Sequence, residues 1–194
     1  SYRAPHSFEG PIRDTLLYAD KGWPEIERVH AAKITLLDKQ VGRLLEKLKE
    51  INQLDNTLIL FTSDNGPHYA KDGHQLEFFD SNGTFKGGKR DLYEGGIRVP
   101  LIAYWNQNIA SGSDSNHISS FQDIMPTFSE IIGFENSNDT DGISFLPTLL
   151  SKEQEKHKFL NWEFQLSGWF QTIPNGGFRQ SVRLENCKAV RYNL

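Results

Sequence analysis

Apolar and polar positions change rhythm several times along the chain, and each change predicts an element. Ile34, Leu37, Val41, Leu44 and Leu48 recur at alternating spacings of three and four, which lays one apolar stripe along a helix of about residues 25–51. Trp23-Pro24-Glu25 supplies its start, because proline fits the first helical turn and acid suits the positive end. Lys39, Arg43, Glu46, Lys47 and Lys49 fill the wet side. After a turn at 52–56 the pattern becomes continuous. Thr57-Leu58-Ile59-Leu60-Phe61-Thr62 predicts a fully buried strand of a parallel or mixed sheet. It stops at Ser63-Asp64-Asn65-Gly66-Pro67, which cannot continue a strand. Polar residues just beyond the C-terminal end of a buried strand are where α/β proteins place their sites.

Residues 66–98 then form a long, polar, glycine-rich loop, a length that suggests function within a compact domain. Val99 to Trp105 predicts a second strand, and Ser119 to Ile132 a helix with a serine cap and Gly133 at its end. Residues 134–157 read as loop. Lys158 to Phe164, Phe178 to Leu184 and Cys187 to Tyr192 alternate, which predicts an antiparallel sheet. The first twenty residues are irregular, broken by Pro5, Gly10 and Pro11. The expected class is α/β: a mixed sheet flanked by helices, with a small C-terminal antiparallel sheet.

Composition narrows the function without naming it. At 194 residues, with 37% hydrophobic and 24% charged, the chain suits one globular domain with a sizeable core. A net charge of −4 gives no reason to expect nucleic acid as a partner. No apolar run approaches the roughly 18–20 residues that span a bilayer. The single cysteine, Cys187, excludes an internal disulfide and a Cys-rich metal site, and reads as a small buried strand residue.

Three groups of residues carry possible chemistry. Asp64 and Asn65 offer a carboxylate and an amide oxygen, hard donors suited to Ca²⁺ or Mg²⁺; Asp-Asn-Gly is equally a common turn. Lys86-Gly87-Gly88-Lys89-Arg90 joins cations to glycines that allow close approach to an anion; a solvated basic loop reads the same way locally. His6, in an extended Ala4-Pro5-His6 stretch, is placed to donate to an anion or act as a general acid. His30 lies within the helix and reads as structural, whereas His68 and His74 fall in the long loop. Gly83 to Lys89 fits the first seven positions of a P-loop, but Arg90 stands where Ser or Thr should hold Mg²⁺, and no strand precedes it. Neither His-Glu-x-x-His nor Gly-x-Ser-x-Gly occurs.

Taken together the segments resemble the sulfatase family of the alkaline-phosphatase-like superfamily. The resemblance rests on Phe61-Thr62-Ser63-Asp64-Asn65-Gly66-Pro67-His68 and on the run from Gly87-Gly88-Lys89-Arg90-Asp91-Leu92-Tyr93-Glu94-Gly95-Gly96 to Pro100. Weaker support comes from Ala31 to Asp38, Asp123-Ile124-Met125-Pro126-Thr127 and Asp141-Gly142-Ile143-Ser144-Phe145. The resemblance covers the chain in order and implies that 1–150 is the C-terminal part of the catalytic domain and 151–194 the start of a smaller antiparallel subdomain.

What the resemblance implies can be carried over residue by residue. Asp64 and Asn65 would be two ligands of the catalytic cation, normally Ca²⁺, with Mg²⁺ as the alternative. Lys89 would contact the sulfate and the leaving oxygen. His6 would bind the sulfate and could protonate the leaving alcohol, and His68 and His74 would line the substrate pocket. The family's formylglycine arises from a Cys/Ser-x-Pro-x-Arg motif, and an Asp-Asp pair completes its metal site; neither occurs in this sequence. The resemblance puts both upstream of Ser1, so the chain is expected to be part of a longer protein, inactive alone and completed by that missing N-terminal part. The expected substrate is a sulfated small molecule or glycan, and the family's habit of export suggests a periplasmic or secreted setting. A degenerate module that binds sulfated ligands without chemistry, and a related phosphoester or phosphonate hydrolase, are the competing expectations.

Overall fold

The computed structural model describes residues 15–68, 74–134, 140–165 and 177–192. They group into two compact units: residues up to Asp55 with Thr62–Pro100, and Asn56–Phe61 with the chain from Leu101 onward.

The first unit is built on helix α1, Glu25–Glu50, beginning after Pro24 with Glu25 and Glu27 in its first turn and Lys47 and Lys49 in its last. Both placements oppose the helix dipole. A 3₁₀ segment, Thr15–Lys21, precedes it. The Tyr18 hydroxyl hydrogen-bonds Thr35 Oγ1 at 2.6 Å, and the Tyr18 ring stacks on Trp23 with centroids 5.6 Å apart. Trp23 in turn meets the edges of Phe78 and Phe79, so the aromatic residues tie the start of α1 to a short 3₁₀ turn at Leu76–Phe78. The expected apolar stripe exists but is only partly covered: Leu37, Val41 and Leu48 are half-buried, while Ile34 and Leu44 are exposed. The buried residues of α1 are instead Glu27 and Ala32. Among the described residues full burial on α1 is confined to its first turns, and the later turns are half-buried or exposed. The unit ends with the one-turn helix α2, Glu94–Ile97.

Strand β1, Ile59–Thr62, which lies in the second unit up to Phe61, pairs with β2, Leu101–Tyr104, in a sheet of two strands among the described residues. The expectation of a fully buried β1 is corrected: its residues are half-buried and Phe61 is 38% exposed, because among the described residues the sheet has two strands and cannot cover both faces. Helix α3, Ile124–Ile131, follows a 3₁₀ turn and a reciprocal cap between Ser120 and Asp123, and Gly133 closes it at φ 69°. The stretch expected to be all loop contains a further one-turn helix, α4, Leu146–Leu149, started by Pro147.

Asp123, fully buried, organises this unit. Its Oδ2 accepts the Ser120 N–H at 2.6 Å; its Oδ1 accepts the Ile143 N–H at 2.9 Å and lies 2.8 Å from His157 Nε2. One carboxylate therefore caps a helix and anchors two remote segments. Strands β3, Leu160–Gln165, β4, Phe178–Leu184, and β5, Cys187–Tyr192, form the antiparallel sheet the alternation predicts, with Trp162 opposite Ser181 and Ser181 opposite Val190. Cys187, expected to be buried, is exposed, since it opens β5 directly after the Glu185-Asn186 turn.

Candidate functional site

The turn after β1 and the glycine-rich run of the long loop meet within the first unit. The Ser63 hydroxyl donates to the Asn65 carbonyl at 2.9 Å and shapes the turn. The Gly66 N–H then donates to Gly96 O at 2.9 Å, the Lys89 N–H to Pro67 O at 2.7 Å, and the Gly95 N–H to Lys86 O at 2.9 Å. These three bonds draw 63–67, 86–89 and 95–96 into one backbone layer.

Only glycine permits that layer. A Cβ on Gly66 would lie 1.9 Å from Gly95 O, one on Gly95 2.0 Å from Gly87 O, and one on Gly96 2.2 Å from Asp91 O. Asp91 fastens the neighbouring bend by accepting the Gly88 N–H at 3.0 Å, and the Asn82 amide donates to Phe85 O and Gly87 O. Arg90, a non-glycine residue, is held at φ 78°, the left-handed conformation that costs of order 1 kcal/mol and persists only where the surroundings impose it.

Onto this layer the sequence places Asp64, Asn65 and Lys89. Asp64 is exposed and Asn65 half-buried; among the described residues neither side chain takes a hydrogen-bond partner. Lys89 is half-buried, and burial holds its ammonium below the usual lysine range; the Asp64 carboxylate opposes that shift and Arg90 adds to it. Asp64 is thus within electrostatic reach of Lys89. Two other cations of the loop lie over aromatic faces, Lys86 over Tyr93 at 4.1 Å and Arg98 over Phe85 at 4.6 Å.

Asp64 and Asn65 fit a hard cation by chemistry, since both present oxygen donors not engaged by hydrogen bonds from the described residues. They are too few to form a complete site, and among the described residues no cluster of three or more His, Cys, Asp or Glu side chains is arranged for a metal.

The histidines part company. His6 lies outside the described residues. His68 is half-buried three residues after Asn65 and acts electrostatically on His30. His74 is interior, 1% exposed, with Nδ1 2.6 Å from Glu27 Oε2, while Glu27 Oε1 accepts the Gln75 N–H at 2.9 Å. Its ring stacks on His30 at 4.2 Å. Burial, and then the neighbouring His74, lower the His30 pKa from 6.5 to about 4, with Glu27 opposing. Among the described residues His74 thus ties the loop to α1 through Glu27 and His30. Sequence reasoning missed Glu27, whose place in the first helical turn suggests only a dipole effect and whose partner is 47 residues away.

Comparison with known proteins bears on this arrangement. A sequence model of the sulfatase family matches residues 4–134. The chain is 35% identical over 180 residues to an uncharacterized sulfatase of Escherichia coli, covering 90% of this chain and 31% of that protein. To the steryl-sulfatase of Homo sapiens it is 38% identical over 136 residues, covering 68% and 23%. The chain thus spans about a third or less of these relatives. Among solved structures it superposes on Ps i-CgsB in complex with k-i-k-neocarrahexaose at TM-score 0.77 and 26% identity, covering 98% of this chain and 40% of that one. A structure with its substrate D-glucosamine-2-N,6-O-disulfate aligns at TM-score 0.68 and 28% identity, covering 87% and 32%. A phosphonate monoester hydrolase from Silicibacter pomeroyi aligns at 0.67 and 25%, covering 87% and 33%.

Proposed function

The chain belongs to the sulfatase family, and from that premise we propose that the protein containing it hydrolyses sulfate esters, with a sulfated glycan or small aryl or sterol sulfate as substrate. The observation that carries this reading is the position of Lys89. Its backbone is bonded to Pro67, two residues beyond Asn65, and its ammonium lies in the field of Asp64. A cation and two hard oxygen donors are thereby held on one rigid layer. Glycan specificity draws support from structural neighbours solved with a neocarrahexaose and with a disulfated glucosamine.

In this reading Asp64 and Asn65 hold Ca²⁺, or Mg²⁺, as part of its ligand set. The bound ion supplies charge stabilisation to the sulfate oxygens. Lys89 donates to the ester at the bridging and nonbridging oxygens, where negative charge grows as the S–O bond breaks. Its partial burial strengthens that interaction relative to water. His6 would give its proton to the departing alkoxide as the ester S–O bond breaks; the sulfuryl group passes to the nucleophile, and one water consumed per turnover accounts for its release as sulfate. His68, three residues after Asn65, would line the substrate pocket. The nucleophile, a formylglycine, comes from a part of the protein outside this sequence, which holds no Cys/Ser-x-Pro-x-Arg motif. Residues 1–194 alone are accordingly expected to turn over no substrate.

The test is hydrolysis by the complete protein of 4-nitrophenyl sulfate, glucosamine 6-sulfate and a phenyl phosphonate monoester, with and without Lys89→Ala. Faster turnover of the sulfates, lost in the variant, is the expected result. Preference for the phosphonate would move the assignment to the reading favoured by the structural likeness to a phosphonate monoester hydrolase. No turnover of any of the three by protein with the nucleophile motif intact would favour a binding module.

A further inference from the structure

Lys89 is the second residue of a four-residue turn, Gly88–Asp91, closed by the Asp91 N–H donating to Gly88 O at 2.9 Å. Arg90, at φ 78°, is the third, the place where turns with a left-handed residue select glycine. A side chain at that φ is strained, so the turn is not favoured by its own residues and needs support from beyond its backbone.

Asp91 supplies that support. Its Oδ2 accepts the Gly88 N–H at 3.0 Å, so Gly88 and Asp91 are joined twice, once by backbone and once by side chain. Gly88 is buried, and without Asp91 its N–H would be left unsatisfied. The side chain also fits closely, since a Cβ on Gly87 would stand 2.8 Å from Asp91 Oδ2 and 3.0 Å from Asp91 Cβ. The main chain of Asp91 is held by the glycine layer: Gly96 lies so near that a Cβ there would collide with Asp91 O and Gly88 O.

Across the layer, the Lys89 N–H donates to Pro67 O at 2.7 Å, two residues beyond Asn65. That bond sets where the Lys89 backbone lies, and the closed turn sets the direction in which its side chain departs. We propose that Asp91 is a positioning residue for Lys89: its carboxylate holds the turn in the shape that directs the ammonium to the ester. The proposal rests on the reading of Lys89 as the cation that contacts the sulfate.

The experiment measures kcat and KM of the complete protein on 4-nitrophenyl sulfate, at a temperature where circular dichroism shows every variant folded. Asp91→Ala should lower kcat about tenfold or more and change KM by less than about threefold. Asp91→Asn, whose amide oxygen still accepts the Gly88 N–H, should recover most of that loss. The effect of Asp91→Ala should also shrink in an Arg90→Gly background, because glycine holds the left-handed φ unaided. In a Lys89→Ala background, Asp91→Ala should change the residual rate by less than about twofold, because its effect passes through Lys89. An equal loss with and without Lys89 would overturn the proposal, as would failure of both rescues. So would Asp91→Ala turnover within about twofold of wild type while Lys89→Ala is impaired, a result that leaves the reading of Lys89 intact. Wild-type turnover by Lys89→Ala would overturn that reading and this proposal with it.

Discussion

Gly95→Ala should destabilise the protein by about 3–5 kcal/mol, although it adds only one methyl group. The added carbon would lie 2.0 Å from Gly87 O and 2.8 Å from Lys86 O, where real contacts essentially never fall under 3.0 Å. Both neighbours are backbone, so no rotamer change relieves the clash and the layer must open by about 1 Å. Overpacking of this kind costs about 1–3 kcal/mol. An opening of that size also breaks the 2.9 Å bonds from Gly95 N–H to Lys86 O and from Gly66 N–H to Gly96 O, at about 1 kcal/mol each. The total is a large share of a typical stability of about 5–15 kcal/mol. Urea denaturation of the complete protein measures it, with Gly42→Ala as the control. Gly42 lies inside α1 with nothing within 4 Å of where a Cβ would stand, so alanine there should stabilise by about 0.5–1 kcal/mol. If Gly95→Ala unfolds within about 0.5 kcal/mol of wild type while the control behaves as stated, the close-approach argument is wrong.

Three further outcomes follow from the same geometry. Lys89→Ala should lower kcat on an aryl sulfate by about 10²–10³, and Lys89→Arg should fall between, because a planar guanidinium replaces a compact ammonium; a loss under tenfold in initial rates would remove Lys89 from the reaction. Asp64→Ala should weaken Ca²⁺ binding at least about tenfold, measured by titrating the ion into chelator-treated protein; unchanged affinity would mean the ion, if bound, sits elsewhere. His30 binds its proton less readily folded (pKa about 4) than unfolded (6.5), so its neutral form favours the native state above pH 6.5 and that advantage is lost as pH falls toward 4. Because the ring is only half-buried, we discount the full shift for solvent screening to about 1–2 kcal/mol. His30→Gln should flatten the acid limb of the stability profile by that amount, and an unchanged slope between pH 6.5 and 4 would refute the assignment.

Much of this protein is legible without coordinates, where the deciding physics is local. The three-four spacing from Ile34 to Leu48 marks α1, a serine cap and Gly133 bound the α3 segment, and the alternation after Lys158 marks the antiparallel sheet. Asp64, Asn65 and Lys89 could be nominated because two motifs stand at a specific spacing. Partner identity is what local pattern cannot carry. Glu27 reads as a helix-dipole residue until its carboxylate is seen closing on His74 and Gln75 across 47 and 48 residues. Asp123 stands in the sequence only as part of a short family-like run, and Ile143 and His157, 20 and 34 residues on, are found on its side chain only in the folded chain.

Burial is the other quantity that sequence pattern misjudges, because it depends on what covers a residue and not on the residue. Continuous apolar character made β1 look fully buried, yet Phe61 is 38% exposed on a sheet that has two strands among the described residues, and Cys187 is exposed because its strand starts at a turn. The order of residues was enough to reach the family, the main elements and the side chains able to do chemistry, since periodicity and motif spacing are properties of neighbours along the chain. The folded chain was needed to see that three glycines bring 63–67, 86–89 and 95–96 into contact and that Lys89 is thereby tied to Pro67 beside Asp64, because each is a meeting of residues far apart in sequence.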